Sequence, residues 1–309
     1  MINNLFIFLI ALFVVIKGAT MATKYAANLA EGFKLSKYIV GFIVVAIISV
    51  LPETFIALDA TVRGMPSFGL GMLFGANVAD LTLVFAAIVF LSGRSVKVES
   101  KILTNHAVYP FMLLLPLVLG LNGHFSRVEG LALIIIGGIF YYVILKKSQI
   151  NTVIIQKDTQ RKKNIIMLLF SMAVLLIGAH FTVTSASEIA NYLGVSPILV
   201  GMFIVGLGTT MPEFFFALNA VKKRDDSLAV GDILGTVLAN ATIVVGIMAL
   251  LSPFSFSQSI IYVTGVFMVT ASFILFYFMK TGRTLTKKEA NLLFIFWLVF
   301  ALVEFIVNR

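Results

Sequence analysis

The chain has 309 residues, of which 60% are hydrophobic and only 12% are charged. Soluble domains are roughly 45–50% apolar and about 25% charged, so this composition excludes an ordinary soluble protein. The absence of cysteine excludes disulfides, thiolate metal sites and cysteine nucleophiles. The net charge of +9 does not call for a nucleic-acid partner, because membrane proteins concentrate basic residues in cytoplasmic loops. The composition therefore predicts an integral membrane protein.

Long apolar stretches follow one another along the chain, and each is long enough to cross a bilayer as a helix. The predicted spans are 4–30, 38–63, 69–92, 101–121, 126–146, 163–192, 197–222, 228–251, 257–280 and 286–307. The first span lacks a basic leader and a small-residue cleavage site, so we expect it to be retained as a helix. The sequence thus predicts an all-α polytopic membrane protein with ten transmembrane helices.

The two halves of the chain repeat each other at an offset of 160 residues, without a gap. The residues Gly41, Pro52, Glu53, Gly71 and Gly75 recur as Gly201, Pro212, Glu213, Gly231 and Gly235. Because each half has an odd number of helices, the second half must insert upside down, as in many secondary transporters. We therefore expect a first five-helix repeat at 1–147, a linker at 148–162 and a second, inverted repeat at 163–309.

Lysine and arginine are distributed unequally between the two sides of the predicted bundle. If Lys17 and Lys24 inside the first helix are left out, eighteen lie on the side of the linker and three on the other. The positive-inside rule then places both termini outside and the 146–163 linker in the cytoplasm. We expect the plasma membrane of a prokaryote as the location.

A proline followed by a glutamate interrupts the second and the seventh predicted helices, at 52–53 and 212–213. Proline has no N–H to donate and crowds the carbonyl four residues earlier. We therefore expect exposed carbonyl oxygens at Ile48, Ser49, Gly208 and Thr209. Free carbonyls are tolerated at membrane depth only where protein or a watery cavity surrounds them, and they are good ligands for a hard cation.

The glutamates themselves predict a cation site. An acid at the centre of a spanning helix costs about 2.5–3.5 kcal/mol or more, so Glu53 and Glu213 need a function. The next helix of each half carries a G-x-x-x-G stretch that permits close helix packing and ends in Asp80 or Asn240. Carboxylate, amide and carbonyl oxygens suit Ca²⁺. Three acids exceed the charge of Ca²⁺ by one, so we expect one carboxyl to be protonated when Ca²⁺ is bound.

These motifs resemble those of the cation/calcium antiporter superfamily, and most of all those of prokaryotic sodium/calcium exchangers. The repeats of that family carry G-T-S-L-P-E and G-x-x-x-G-S-x-x-x-[ND], and the resemblance covers essentially the whole chain. It implies exchange of Ca²⁺ for Na⁺ by alternating access, with the first and sixth helices sliding across the other eight. The cation ligands that it implies are Glu53, Glu213, Asp80, Asn240, Ser49, Thr209, Thr210 and Thr236.

The first repeat departs from the family pattern at two positions. Val50 and Ala76 stand where the family has hydroxyls, whereas Thr210 and Thr236 keep hydroxyls in the second repeat. Each flanking sodium site therefore loses one ligand, and coupling to H⁺ or K⁺ stays open beside coupling to Na⁺. Whether Asp59, Asp232 or His180 contributes to an ion path is also left open.

Two other classes of protein compete with an antiporter. A passive cation channel can use the same acids, although an inverted repeat favours a carrier. The stretch "AVGD" at 229–232 resembles the G-x-G-D of intramembrane aspartyl proteases, but its first position is alanine and the chain has no Tyr-Asp pair. We therefore expect no enzyme activity, no cofactor, and no partners beyond lipid, Ca²⁺ and the counter-ion. The oligomeric state is left open.

Overall fold

The structure, a computed structural model, describes residues 2–30, 37–98, 108–147 and 161–308. Its helices, in chain order, are α1 Ile2–Ala30, α2 Val40–Ser49, α3 Leu51–Val62, α4 Pro66–Ser92, α5 Tyr109–Leu119, α6 Arg127–Lys147, α7 Arg161–Leu193, α8 Pro197–Lys222, α9 Asp226–Leu251, α10 Ile260–Gly282 and α11 Lys287–Val307. Helices α2 and α3 form one bent segment, so the residues that the structure describes form ten helical segments, as predicted.

Most of these segments can cross a membrane by length and composition alone. Seven helices of the described chain meet this standard singly, and the bent pair α2–α3 makes an eighth. Two apolar helices, Asn3–Gly18 within α1 and Tyr109–Leu119, are shorter. Residues 101–107, predicted to begin the fourth span, and 148–160 of the predicted linker lie outside the described residues. Helix α7 already begins at Arg161, inside the predicted linker.

Two short strand pairs, which the sequence analysis did not predict, join the two halves. Strand β1 (Val96–Lys97) pairs antiparallel with β4 (Thr284–Leu285), and β2 (His124–Phe125) pairs antiparallel with β3 (Phe254–Ser255). The first pair follows the ends of α4 and α10, whereas the second lies between the end of α9 and the start of α6. Each pair therefore connects a loop of one half to a loop of the other.

An ion pair reinforces the first of these connections. The Arg94 guanidinium donates to both carboxylate oxygens of Asp226, at 2.8 and 2.5 Å, and also to the carbonyl of Val221. The backbone N–H of Lys97 donates to the same carboxylate at 2.7 Å. The hydrogen bonds to Asp226 raise the pKa of Arg94. A bidentate pair of this kind fixes geometry as well as charge, so it holds the end of α4 against the start of α9.

The helices widen into π-helical turns at positions that follow the repeat. Such turns occur at Val40–Val45 and Val200–Gly206, and again at Asp80–Val84 and Asn240–Val244. A further one opens α10 at Ile260–Gly265. Because π turns are rare and are frequent at functional sites, their recurrence in both halves marks the segments around the two motifs.

Glycine lets the proline–glutamate segment of each half pack against the glycine-rich helix of the other half. A Cβ on Gly231 of α9 would lie 2.5 Å from the Tyr38 carbonyl oxygen, and one on Gly41 would lie 3.0 Å from the Asp232 nitrogen. In the equivalent contact between α4 and α8, a Cβ on Gly75 would lie 2.8 Å from the Met202 side chain. No side chain fits at these crossings. The G-x-x-x-G spacing therefore brings α2 onto α9 and α8 onto α4, as predicted for close helix approach.

We expect Gly235→Ala to destabilise the fold. A Cβ on Gly235 would lie 2.5 Å from the Ala46 Cβ and would also meet the Phe42 backbone, and such overpacking costs about 1–3 kcal/mol. The matched control is Gly138→Ala in α6, whose Cβ would meet nothing within 4 Å. Thermal unfolding of the purified proteins in detergent should show a lower midpoint for Gly235→Ala alone. Equal midpoints for the two variants would contradict the role assigned to this crossing.

Candidate functional site

The proline–glutamate segments of the two halves have different backbones. In the first half, α2 ends at Ser49, Val50 has ψ −8°, and α3 starts at Leu51 after a bend of 41°. Pro52 then stands in the first turn of α3, where its missing N–H has no intrahelical partner to lose. In the second half, α8 continues through Pro212 without a break. The two segments are therefore related in sequence, but the helix is interrupted only in the first half.

The break places Glu53 in the first turn of α3. A helix N-terminus carries a partial positive charge and free N–H groups, which favour an acid at this position. Glu213 has no such helix start beside it, because α8 is continuous there. The two glutamates therefore meet different electrostatic surroundings, although the sequence repeat makes them equivalent.

The structure brings three of the predicted acids together in the interior. Glu53, Asp80 and Glu213 are each at most 2% exposed. Asp80 interacts electrostatically with Glu53, and Glu213 interacts with both of them. Asn240, at the matching position of α9, is also fully buried. The residues that the motifs singled out thus converge on one region between the two halves.

Many polar atoms of this region have no hydrogen-bond partner. Among the described residues, buried side-chain oxygens without a partner occur in eight residues. Six of these belong to the predicted site, namely Glu53, Asp80, Thr210, Glu213, Thr236 and Asn240, and the other two are Asp232 and Ser272. An unpartnered buried polar group costs about 1–3 kcal/mol, and more if it is charged. The concentration of these atoms in one place makes this region the candidate functional site.

The four predicted hydroxyl residues behave in three different ways. The Ser49 hydroxyl donates to Asp232 at 3.1 Å, across the helix crossing. The Thr209 hydroxyl donates to the Gly206 carbonyl of its own helix at 2.9 Å. The hydroxyls of Thr210 and Thr236 have no hydrogen-bond partner, although Thr236 lies beside the Glu213 carboxylate. Thr209 can therefore offer a ligand mainly through its carbonyl, whereas Thr210 and Thr236 can offer hydroxyls.

Asn77 lies next to the site and was not among the predicted residues. Its amide nitrogen donates to the Val237 carbonyl at 3.1 Å, and its oxygen accepts from the Asn240 amide at 3.2 Å. The contact holds Asn240 in place and leaves the Asn240 oxygen without a partner. The repeat gave no signal for Asn77, because the residue at the offset of 160 is Val237.

Of the three residues whose contribution to an ion path was left open, only Asp232 lies in the acidic region. It is fully buried, it accepts from Ser49, and it interacts electrostatically with Asp80 and Glu213. Asp59 and His180 instead form a partly exposed cluster with Arg63. In that cluster the Arg63 Nε lies 2.6 Å from Asp59, and His180 lies 3.5 Å from Asp59.

Two tyrosines donate hydrogen bonds to the backbone of the glycine-rich helix α9. The Tyr109 hydroxyl of α5 donates to the Leu234 carbonyl at 2.7 Å, and the Tyr141 hydroxyl of α6 donates to the Gly235 carbonyl at 2.6 Å. Both tyrosines are buried, so their hydroxyls need these acceptors. The bonds fix α9 at Leu234 and Gly235, between Asp232 and Thr236 in the sequence.

The acids do not form a closed metal site in this conformation. Within the part of the chain that the structure describes, no group of three or more Asp, Glu or His side chains is arranged to hold a metal ion. In this conformation the region is a set of buried carboxyl, amide and hydroxyl oxygens.

Known proteins resemble this chain over almost its whole length. The family model "Sodium/calcium exchanger protein" matches residues 3–146 and again residues 163–306. The sodium/calcium exchanger MaX1 of Methanosarcina acetivorans is 25% identical, and the match covers 98% of this chain and 99% of MaX1. The inner membrane protein YrbG of Escherichia coli is also 25% identical, over 79% of each chain.

A solved structure shares the fold. The sodium-calcium exchanger NCX_Mj is 22% identical and superposes with a TM-score of 0.72, over 96% of this chain and 97% of that one. The all-α architecture of ten transmembrane helices in two inverted repeats is therefore confirmed, and the protease alternative is wrong. With the family model matching both halves, the chain belongs to the sodium/calcium exchanger family.

Proposed function

We propose that this protein is a secondary antiporter that moves Ca²⁺ across the membrane in exchange for Na⁺ by alternating access. The observation that carries the proposal is the set of buried, unpartnered oxygens where the two repeats meet. Burying charge in this way is expensive, so intramembrane acids mark ion pathways by default. Sodium/calcium exchange is the activity in the names of MaX1 and NCX_Mj, and it fits this site chemically.

The ligands that we assign are all oxygens. Ca²⁺ takes six to eight oxygen ligands in a flexible geometry, whereas zinc and copper prefer nitrogen and sulfur. In our assignment the glutamates, Asp80 and Asn240 provide side-chain oxygens, two residues provide carbonyls and two provide hydroxyls. The full set is Glu53, Glu213, Asp80, Asn240, Ser49, Thr209, Thr210 and Thr236.

The two longest helices are the candidates for the moving element. Helices α1 and α7 pack mainly on each other, and a Cβ on Gly178 of α7 would lie 2.8 Å from Val15 of α1. Where α1 meets α8, Leu12 would lie 2.8 Å from a Cβ on Gly208, close to Thr209 and Thr210. A displacement of α1 along α8 would therefore change access to the residues around Pro212. The inverted repeat favours this carrier mechanism over a passive channel.

The orientation that we propose has both termini outside and the linker in the cytoplasm. Basic residues support it, because they collect at the end of the bundle where α4 ends and α9 begins. The described residues of this group are Arg94, Lys97, Lys222, Lys223, Arg224, Lys280, Arg283, Lys287 and Lys288. Basic loops favour the cytoplasmic side.

Two hydroxyls that the family uses at the flanking sodium sites are missing from the first half. Val50 and Ala76 are both buried, and Ala76 faces Gly206 of α8, with 3.7 Å between its Cβ and a Cβ on that glycine. The first half therefore offers Na⁺ fewer hydroxyl ligands than the second half, which keeps Thr210 and Thr236. Proton coupling is the second candidate function, because a proton needs only one of the carboxyl groups.

Transport by reconstituted protein tests the function directly. Proteoliposomes loaded with Na⁺ should take up radioactive Ca²⁺, and liposomes loaded with K⁺ or choline should not. Glu213→Gln should reduce uptake at least about a hundredfold, because it removes a charge that faces the desolvated ion. Glu188→Gln in α7 is the control, since that acid is exposed and outside the site.

Three results would contradict parts of this account. No Ca²⁺ movement under any gradient would refute the antiporter. Undiminished exchange by Glu213→Gln would refute the site. If a pH gradient drives uptake and a Na⁺ gradient does not, the counter-ion is H⁺.

A restored hydroxyl should strengthen coupling to Na⁺. We expect Ala76→Ser to raise the apparent affinity for Na⁺ about two- to tenfold, because one polar contact contributes about 0.5–1.5 kcal/mol. Ala86→Ser is the matched control, as it introduces the same buried hydroxyl further along α4. The concentration of internal Na⁺ that gives half-maximal Ca²⁺ uptake measures the effect. If the two variants have the same half-maximal concentration, Ala76 does not face a sodium site.

A further inference from the structure

We infer that Asp232 is a ligand for Na⁺ in an additional binding position, formed with Ser49 on one side of the central acids. The inference rests on the proposed exchange of Ca²⁺ for Na⁺. It adds a residue that neither the repeat nor the family motif singles out. The position exists in one half only, so it makes the ion path asymmetric.

The local packing brings Asp232 and Ser49 together. Gly41 of α2 approaches the backbone nitrogen of Asp232, and Gly231 approaches the backbone at Tyr38, two residues before α2. The helices therefore touch directly beside Asp232. Ser49 is the last residue of α2, and its hydroxyl donates to Asp232 Oδ1 at 3.1 Å. Both side chains are buried.

One oxygen of this carboxylate remains available. Asp232 Oδ2 is buried and has no hydrogen-bond partner among the described residues. The ion pairs of the described residues join Arg63 and His180 to Asp59, and Arg94 to Asp226. None of them involves Asp232. Thr236, one turn further along the same face of α9, also has an unpartnered hydroxyl. A carboxylate oxygen and neutral oxygens from hydroxyls are suitable ligands for a hard monovalent cation.

Asp232 lies between the centre of the bundle and one surface. Helix α9 begins at Asp226, so Asp232 is about 9 Å along the helix axis from that end, and Asn240 is about 12 Å deeper. The surface nearest to Asp232 is the one where Arg94 pairs with Asp226. The residue at the matching position of the first half is Met72, which has no charge. An ion approaching from the other surface therefore meets no equivalent acid.

Charge balance favours a monovalent ion at this position. Glu53, Asp80 and Glu213 already exceed the charge of one Ca²⁺ by one, and Asp232 adds a further negative charge to the same region. A single Na⁺ beside Asp232 neutralises that carboxylate locally. The family hydroxyls lost at positions 50 and 76 leave sodium short of ligands elsewhere, and Asp232 offers a charged replacement.

A purely structural hydrogen bond would not require an acid here. A serine needs only one acceptor, which an asparagine side chain supplies without burying a charge. A buried carboxylate that lacks a cationic partner destabilises a protein, so its removal should stabilise the fold when no cation is bound. The two roles therefore predict opposite effects of Asp232→Asn in a buffer without Na⁺.

The test is thermal unfolding of the purified full-length protein in detergent, without Ca²⁺, as NaCl replaces choline chloride at constant ionic strength. The wild-type midpoint should rise with Na⁺, because a ligand that binds only the folded state stabilises it. Asp232→Asn should unfold at a higher temperature in choline, and it should need about tenfold more Na⁺ for the same rise. Asp225→Asn, outside the predicted spans, is the control, and the rise of its midpoint with Na⁺, measured from its own value in choline, should follow that of the wild type.

A parallel titration with CaCl₂ separates this inference from the proposed function. If neither ion stabilises the wild type, both are wrong. If Ca²⁺ and Na⁺ stabilise the wild type and Asp232→Asn at equal concentrations, only the assignment of Asp232 is wrong. A variant that is less stable in choline and keeps its response to Na⁺ also refutes the assignment, since that is the behaviour of a structural bond.

Ser49→Ala is the second variant, in case Asp232→Asn does not fold. It leaves the acid in place and removes the hydroxyl, so it too should need more Na⁺ for the same stabilisation. An unchanged response to Na⁺ in Ser49→Ala would overturn the inference.

Discussion

The interaction on which this molecule depends is the repulsion among buried carboxyl groups that have no cationic partner within the described chain. Glu53, Asp80, Glu213 and Asp232 are all buried, and several of their oxygens have no hydrogen bond. Such a group of acids is stable only if cations or protons balance it. The cations or protons that balance these acids therefore contribute to the energetics of the fold.

The rest of the fold serves to hold these acids close together in spite of their charge. Glycines at the crossings allow α2 to pack on α9 and α8 to pack on α4. The proline–glutamate segment of each half therefore lies against the glycine-rich helix of the other half. The strand pairs and the bond between Arg94 and Asp226 join the halves near the membrane surfaces. Tyr109 and Tyr141 fix α9 through bonds to its backbone carbonyls. A bundle held at these points can keep its centre polar.

The sequence predicted the parts of the fold that follow from composition and from the internal repeat. Hydropathy located the spanning segments, and the offset of 160 related Glu53 to Glu213 and the two glycine motifs to each other. Neither signal reaches features that differ between the halves. Pro52 lies at a helix break and Pro212 does not, because neighbouring packing decides whether a proline ends a helix.

The sequence predicts no role for Asn77 and leaves a role for Asp232 in an ion path open, because neither residue has a counterpart in the other half. Asn77 corresponds to Val237, and Asp232 corresponds to Met72, so a search for matched pairs passes over them. Their roles depend on contacts across more than 160 positions, such as the bond from Ser49 to Asp232. The π turns and the two-residue strands are also set by tertiary packing. The assignment of the individual ion ligands stays a prediction.

Anomalous diffraction from crystals soaked in Sr²⁺, a heavier relative of Ca²⁺, tests the central claim most directly. The account predicts a single strong peak within coordination distance of Glu53 and Glu213, with oxygens of Asp80 or Asn240 nearby. The peak should disappear in Glu53→Gln crystals soaked in the same way. Strong peaks that lie only elsewhere, or a peak that persists unchanged in Glu53→Gln, would contradict the account.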